Sequence, residues 1–386
     1  MANKSSKPKE ITRAIKDSVR SMLWGRAAGR CQFNGCNRPL YKSPITTETV
    51  NISEAAHIYS FSEDGPRGWG PFVLNKDKLN DIDNLMLMCH DCHKTIDQDK
   101  EGIRYSADLL CQWKKEHEER IWLVTSIGPN NKSHVVLYGA DIGKEKSPLQ
   151  FKEVVHAMFP RRFPAEQSIE LSLSSELIDS TDQYWDFQAQ NLEKVFERKV
   201  KSIIETTENV NFSLFSFAPM PLLIKLGTLF TDKIAVETYQ PIREPKGWMW
   251  QTRPDDFSFV ISKPESIQKK KPVLILSLSA EISSERITTV LGLDVEIWKI
   301  YTPSPHQHND FIRSPEQLSE FRSIVRKTLE EIQSIYGLDE PLHLFPAMPI
   351  SCAVEFGRVR MPKATMPWII YDENRQHGSF IKALTI

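Results

Sequence analysis

Apolar and polar residues follow two different rhythms along this chain, and the change falls between residues 126 and 148. In the first part the apolar rhythm is helical over Lys9–Ala28. Ile11, Ile15, Val19 and Met22–Leu23 share a face, and Gly29 follows as a stop. A short strand is expected over Val50–Ile58. The loop "SEDGPRGWGP" after it is rich in turn residues. Leu85–Met88 is a brief apolar run. Ser106 is placed to cap a helix through about Leu123, with Leu109, Leu110, Trp113, His117 and Ile121 on one side.

"SIGPNNKSH" at Ser126–His134 breaks this pattern, and "GKEKSP" at Gly143–Pro148 breaks it again. The expected organisation is a first domain over 1–125, a linker region over 126–148 and a second domain over 149–386. In the second domain, "IELSLS", "NFSLFSF", "FSFVI", "PVLILSLSA", "VEIWKIY" and "PWIIYD" are β-rich, several nearly continuously apolar as buried parallel strands are. Helical patterns such as Asn191–Thr207 and Ser314–Tyr336 lie between them. The latter opens with Ser314 as cap, Pro315 first and Gln317 three residues after the cap, and Gly337 ends it. This alternation predicts an α/β domain. No repeat at a fixed short period is visible.

Composition narrows the class. The chain has 386 residues, 40% of them hydrophobic and 26% charged, which fits a soluble globular protein of two domains. No apolar run reaches 18 residues, so no membrane helix and no membrane partner are expected. "MANKSSKPKE" lacks the apolar core of a secretory signal, and a cytoplasmic location is expected. The net charge of −1 hides an uneven distribution. Residues 1–50 carry ten Lys/Arg against three Asp/Glu, and residues 51–100 carry five against nine. Cations beside an acidic patch suit a metal-using phosphodiesterase, and equally a solvated basic helix.

Four of the six cysteines fall in two close pairs, Cys31-x4-Cys36 and Cys89-x2-Cys92. Two knuckles brought together by folding make a tetrahedral, four-thiolate Zn²⁺ site. The alternative is four unconnected buried thiols. Disulfides are disfavoured in a reducing compartment. A closed site of this kind is structural. Cys111 and Cys352 stand apart, Cys352 in an apolar run expected to be core.

His57 ends the expected strand, Asn84 begins the run into the second knuckle and His93 follows its last cysteine. Each alone reads as readily as a structural residue. Together "CQFNGC", "EAAHI", "DNLMLMCHDCH" and the trailing "KTID" resemble the HNH motif of the ββα-metal endonucleases. That resemblance implies an α+β nuclease domain in which His57 is the general base for water. Asn84 would fix the hairpin that carries His57. His93 would bind a catalytic Mg²⁺ or another divalent cation. The chain departs from the pattern at Ala56, where many members carry an acidic metal ligand. Glu54, on the same face of the strand, or Asn84 or a water would fill that gap. His90 is expected to face solvent. Arg67, in the Gly-Pro loop, is expected either to hold a DNA phosphate or to be an exposed structural residue.

The second domain has no Gly-rich phosphate loop and no nucleophilic triad. His306 and His308 read as part of a polar loop. "PKGWMWQTRPDD" places Trp248 and Trp250 on one side of an extended segment beside Arg253, which suits a base and its phosphate, or a core. With the α/β pattern, "GWMW" and "HLFPAMPISCAVEFGRVRMPKATMPWIIYD" resemble a SAVED domain, implying two Rossmann-like, CARF-like units. HNH followed by SAVED resembles the effectors of bacterial CBASS anti-phage systems over nearly the whole chain. The resemblance implies degradation of double-stranded DNA in abortive infection. The activator would be a cyclic di- or trinucleotide made by a CD-NTase, held by Trp250, Arg253, Arg358 and Lys363. It also implies a homo-oligomer, a dimer at rest and larger when active. Two other readings compete: an HNH restriction endonuclease whose second domain reads modified DNA, and a zinc-knuckle DNA-binding regulator with a nucleotide sensor. A strongly basic second domain would favour the former, yet the basic excess lies in the first fifty residues. The regulator leaves His57, Asn84 and His93 unexplained.

Overall fold

The structure is a computed structural model, and it describes residues 13–140, 149–172, 182–362, 364–374 and 378–386. The contacts within the chain divide it into two compact units, Met1–Gly128 and Pro129–Ile386.

In the first unit, helix α1 (Asp17–Ala27) buries Leu23 and Ala27. The expected helix reached back to Lys9, which lies outside the described residues. After α1 the chain forms a narrow hairpin in which Arg30 pairs with Pro39 and the Cys31 N–H donates to the Arg38 carbonyl at 2.9 Å. Strands β1 (Ser53–His57) and β2 (Leu85–Cys89) pair antiparallel, with Ser53 opposite Cys89 and His57 opposite Leu85. Helix α2 (His90–Gln98) starts directly after β2. Helix α3 (Ala107–Thr125) is capped as expected, the Ser106 hydroxyl accepting from the Leu109 N–H at 3.3 Å. Every residue of β2 is buried, because α1 and β1 cover it together with Ile96 of α2 and Leu110 of α3. This β–β–α core is the α+β domain that the sequence implied.

The second unit begins with β3 (Lys132–Gly139), α4 (Phe151–Val154), β4 (Phe163–Pro164), β5 (Ile169–Glu170) and α5 (Asp182–Phe196). One π-helical turn, Glu197–Lys201, leads into α6 (Ser202–Thr206). Then come β6 (Asn211–Phe217), α7 (Met220–Phe230), β7 (Ala235–Thr238), β8 (Val260–Ser262) and β9 (Lys271–Ser277). The chain closes with α8 (Ser284–Leu291), β10 (Val295–Tyr301), α9 (Pro315–Tyr336), β11 (Leu342–Ala347), α10 (Ile350–Arg358), β12 (Trp368–Asn374) and β13 (Ser379–Thr385). At the start of α9 the Gln317 side chain reaches back to the Ser314 N–H at 3.1 Å, as the capping pattern required.

These strands make two sheets. One is parallel in the order β4–β3–β6–β7, with β5 also beside β3. The other runs β13–β12–β11–β9–β10–β8, parallel at its centre with antiparallel strands at both edges. Each is a Rossmann-like half, so the α/β expectation holds. The linker expectation needs correcting: β3 lies inside 126–148, and its Val135–Tyr138 are buried in a central strand. The polar Ser126–Asn131 turn masked the apolar run behind it. Gly143–Pro148 falls outside the described residues.

The halves carry a repeat that no short period revealed. Helix α7 follows β6 after Pro219, and α10 follows β11 after Pro349, both prolines having the same extended backbone (ψ 146 and 150). Gly227 and Gly357 stand at equal distances beyond these prolines. A Cβ on Gly227 would sit 2.0 Å from the Val354 carbonyl oxygen, and one on Gly357 2.0 Å from that of Ile224. The two helices therefore cross backbone against backbone, and only glycine fits. Among the described residues no helix is long and apolar enough to cross a membrane.

Candidate active site and ligand cleft

The first unit holds the cysteine cluster. The sulfurs of Cys31, Cys36, Cys89 and Cys92 lie within 4.8 Å of one another, and none is in a disulfide. Cys31 and Cys36 come from the hairpin after α1, where the Cys36 N–H closes a turn on Phe33. Cys89 ends β2 and Cys92 lies in the first turn of α2. The Cys89 N–H points at the Cys31 sulfur (3.4 Å), and Arg38 bonds Asp91 across the two knuckles (3.2 Å). Burial, with repulsion from Cys89 and Cys36, pushes the Cys31 thiol up to about 12, and Cys92 is raised for the same reasons. Four thiolates at such distances require a cation, and the donor set fits zinc.

Beside that cluster His57 and His93 line one cleft, Glu54 bonds His93, and Asn84 lies in the hairpin away from it. Asn84 is 1% exposed and closes the loop between β1 and β2. Its side-chain oxygen accepts from the Tyr59 N–H (2.9 Å), and its amide donates to the carbonyls of Tyr59 (3.0 Å) and Leu79 (2.8 Å). It fixes the hairpin and does not face the cleft. His57 is half-buried. Its Nε2 donates to the Asn80 Oδ1 at 2.9 Å, which leaves Nδ1 as the basic nitrogen. Burial pushes the His57 pKa below its ordinary 6.5. The Asn80 bond opposes this, while the neighbouring His93 and Arg13 add to it.

Glu54 answers the question posed by Ala56. Ala56 is 1% exposed and packs in the core. One Glu54 oxygen meets His93 Nδ1 and the other meets His90 Nδ1 (2.6 Å). Burial raises Glu54, but the bonds from His90 and His93 outweigh it and hold the carboxyl below its ordinary range. His90 is thus not free in solvent, although its side chain is 61% exposed. On its other side His93 Nε2 faces the Asp97 carboxylate at 3.3 Å. The two carboxylates sit on opposite nitrogens of the imidazole, so a divalent cation bound at one nitrogen of His93 would take one of them, and among the described residues only the four cysteines are close enough together to form a complete metal set.

Asn80 and Asp97 were not singled out from the sequence. Asp97 was legible, because it lies one helical turn after His93 in "HKTID". Asn80 sits in an irregular stretch with no periodic signal. Of the two expectations for Arg67, phosphate ligand or exposed structural residue, the structure is nearer the second, except that the residue is buried. Its side chain is 3% exposed, and its guanidinium donates to the carbonyls of Ile58 (2.5 Å), Ile96 (3.0 Å) and His57 (3.3 Å). It ties the Gly-Pro loop to β1 and α2, and so positions His57.

In the second unit, the three described residues among the four expected to hold a nucleotide are engaged separately. Arg358 is buried, donating to the carbonyls of Thr231 (3.1 Å) and Ile234 (2.9 Å) and pairing with Glu355 at 3.0 Å. Arg253 pairs with Glu320. The Trp250 ring stacks on Tyr239, centroids 5.7 Å apart. Lys363 lies outside the described residues. A cleft of about 910 Å³ instead opens at the carboxyl ends of β6, β7 and β11, where open α/β sheets place their ligands. Trp248, Gln240, Arg243, Lys246, Asn309 and Met348 are among its lining residues. Gln240 anchors the start of α10, its oxygen accepting from the Ser351 N–H (3.0 Å) and hydroxyl (2.7 Å). Asp310 accepts from the Arg243 N–H (2.9 Å), and Arg313 donates to the Glu244 carbonyl (2.9 Å), so the second half holds the 243–247 turn. Among the described residues the side chains of Arg243 and Lys246 enter no ion pair. The sequence reading chose the neighbours of these residues because it could not see which side of the turn faces inward.

Comparison with known proteins finds a family match within each unit. Residues 192–386 match the SMODS-associated and fused to various effectors sensor domain (SAVED), and residues 31–103 match the HNH endonuclease family. No curated protein matches the chain. Similar solved structures include the Acinetobacter baumannii Cap4 SAVED/CARF-domain containing receptor with the cyclic trinucleotide 2'3'3'-cAAA. It is 14% identical, with a TM-score of 0.44, over 81% of this chain and 66% of that one. The same receptor with 3'3'3'-cAAA is 13% identical (TM-score 0.44), over 76% of this chain and 65% of that one. The Moraxella osloensis Cap4 receptor is 13% identical (TM-score 0.40), over 80% and 68%. The chain thus spans just under two thirds of the Acinetobacter receptor.

Proposed function

The chain belongs to the SAVED family of sensor domains, joined here to an HNH endonuclease domain, and we propose that it is a cyclic-oligonucleotide-activated, metal-dependent endonuclease. Its substrate is double-stranded DNA, and its setting is cytoplasmic anti-phage abortive infection. One observation carries the catalytic half: His57, His93 and Asp97 line one cleft on the β–β–α core, and Glu54 bonds His93.

The chemistry follows from that geometry. His57, held through Nε2 by Asn80, presents Nδ1 to a water and takes its proton as the oxygen attacks the phosphorus. The bond from phosphorus to the leaving oxygen then breaks. His93 with one of its two carboxylates, Glu54 or Asp97, would hold the divalent cation, Mg²⁺ or a similar ion. When bound, it supplies positive charge against the charge developing on the phosphate and the leaving oxygen. Asn84 and Arg67 keep the loop that carries His57 in place. The cysteine cluster, loaded with zinc, ties α2 to the hairpin after α1 and so fixes His93.

The activator is a cyclic di- or trinucleotide made by a CD-NTase, and the cleft at the carboxyl ends of β6, β7 and β11 is its site. Arg243 and Lys246 meet its phosphates and Trp248 meets a base. A dimer at rest passes to a larger oligomer on binding. The ligand shifts that balance by its greater affinity for the assembled state.

The test is purified full chain with plasmid and Mg²⁺, with and without a panel of cyclic di- and trinucleotides. Cutting only with one cyclic nucleotide supports the proposal. Cutting without ligand, dependent on base modification, would favour a restriction enzyme. No cutting under any condition would leave a DNA-binding regulator.

A further inference from the structure

The cleft before His57 has a second wall that the catalytic residues do not account for. It encloses about 340 Å³, with His57, His93 and Asp97 on one side and Arg13, Ile15 and Arg20 on the other. The arginines come from the segment entering α1 and from its first turn. The Arg13 guanidinium lies 5.6 Å from the centre of the Phe61 ring, and that ring stands against His57 with centroids 6.2 Å apart. Arg20 donates through Nε to the Ile15 carbonyl at 3.4 Å, and Ile15 is buried, so the arginine stem is anchored while its outer nitrogens stay open.

Three other arginines of this unit are neutralised, while Arg30 and Arg120 bond neutral groups away from the cleft. Arg26 pairs with Asp83 and Glu118, Arg38 with Asp91, and Arg67 with Asp97. Arg13 and Arg20 enter no ion pair among the described residues. The nearby carboxylates are already engaged, Glu54 with two histidines and Asp97 with His93 and Arg67. Two exposed guanidinium groups facing a cleft whose acids are occupied lack an anion. The planar fork of arginine matches the paired oxygens of a phosphodiester.

We propose that Arg13 and Arg20 are the phosphate clamp of the active site, holding the backbone of the nucleic acid strand presented to His57. This rests on the nuclease reading above and assigns to it residues on a different element. The clamp binds backbone and not base edges, so it lends affinity without sequence preference.

The experiment uses the full chain in a His57→Ala background, which removes cleavage, and a short fluorescent duplex DNA. Affinity is measured over a range of salt concentrations with the cyclic nucleotide panel present. Adding Arg13→Ala or Arg20→Ala should weaken binding about tenfold each, the loss of one charge-assisted contact. The salt slope should fall by about 0.9 per contact removed. Lysine at either position should restore part of both. With His57 intact, the same alanine variants should cut more slowly with unchanged thermal melting and zinc content. A double variant with the parent's affinity and salt slope would overturn the clamp while leaving the nuclease reading intact. A parent that binds no duplex while the wild type cuts none would overturn both.

Discussion

Burial and charge at His57 set a signature that can be read in solution. As the proposed base, His57 works only when neutral. Burial lowers its pKa below 6.5, with His93 and Arg13 adding to the shift and Asn80 and Asp97 opposing it. The acid limb of the cleavage rate should therefore lie below pH 6.5, with full activity retained at neutral pH. A half-maximal rate above pH 7 would contradict that environment. His57→Ala should lower cleavage by about 10²–10⁴-fold, with zinc content and ligand binding unchanged. Asp97→Asn should weaken binding of the catalytic cation about 10–100-fold, read by the Mg²⁺ concentration needed for half-maximal rate. Part of this arrangement was legible residue by residue: of His57, Asn84, His93 and Glu54, all named from the sequence, His57 and His93 line one cleft, Glu54 bonds His93, and Asn84 braces the hairpin away from the cleft. Arg67 and Arg358 were not legible. A buried arginine bonded to carbonyls and an exposed one awaiting phosphate look alike in a string of letters.

At the scale of elements, the cysteine knuckles and the α7–α10 crossing carry the structure in different ways. The four sulfurs join the hairpin after α1 to the start of α2. Cys31→Ser should release the metal and, with it, the ordered position of His93. A zinc-release assay on the variant checks this; retained zinc at full stoichiometry would count against a four-thiolate site. Gly227→Ala and Gly357→Ala each place a methyl against a backbone carbonyl that cannot step aside. Either should destabilise the second unit by about 3 kcal/mol, measured by denaturant unfolding. Strands and caps were readable because burial and capping leave local marks, as at Ser106 and Ser314. The repeat of Pro219–Gly227 in Pro349–Gly357 was not. It consists of two residues per half at matched spacing, and its meaning arises only where two distant helices touch. The β3 strand escaped because its buried run follows a polar turn.

The whole molecule has two sites with opposite electrostatic needs. In the first unit, carboxylates and imidazoles gather for a cation. In the second, Arg243 and Lys246 stand open at a cleft for an anion. The account's central claim is that occupancy of the second site turns on the first. It is tested most directly by the rate of plasmid cleavage against cyclic nucleotide concentration, for the wild type and for Arg243→Ala/Lys246→Ala. The wild type should be silent without ligand and rise to saturation. The double variant should reach a similar ceiling only at about tenfold or higher concentration. A wild-type rate that does not change with any cyclic nucleotide, or a double variant whose curve overlays the wild type, would contradict the account.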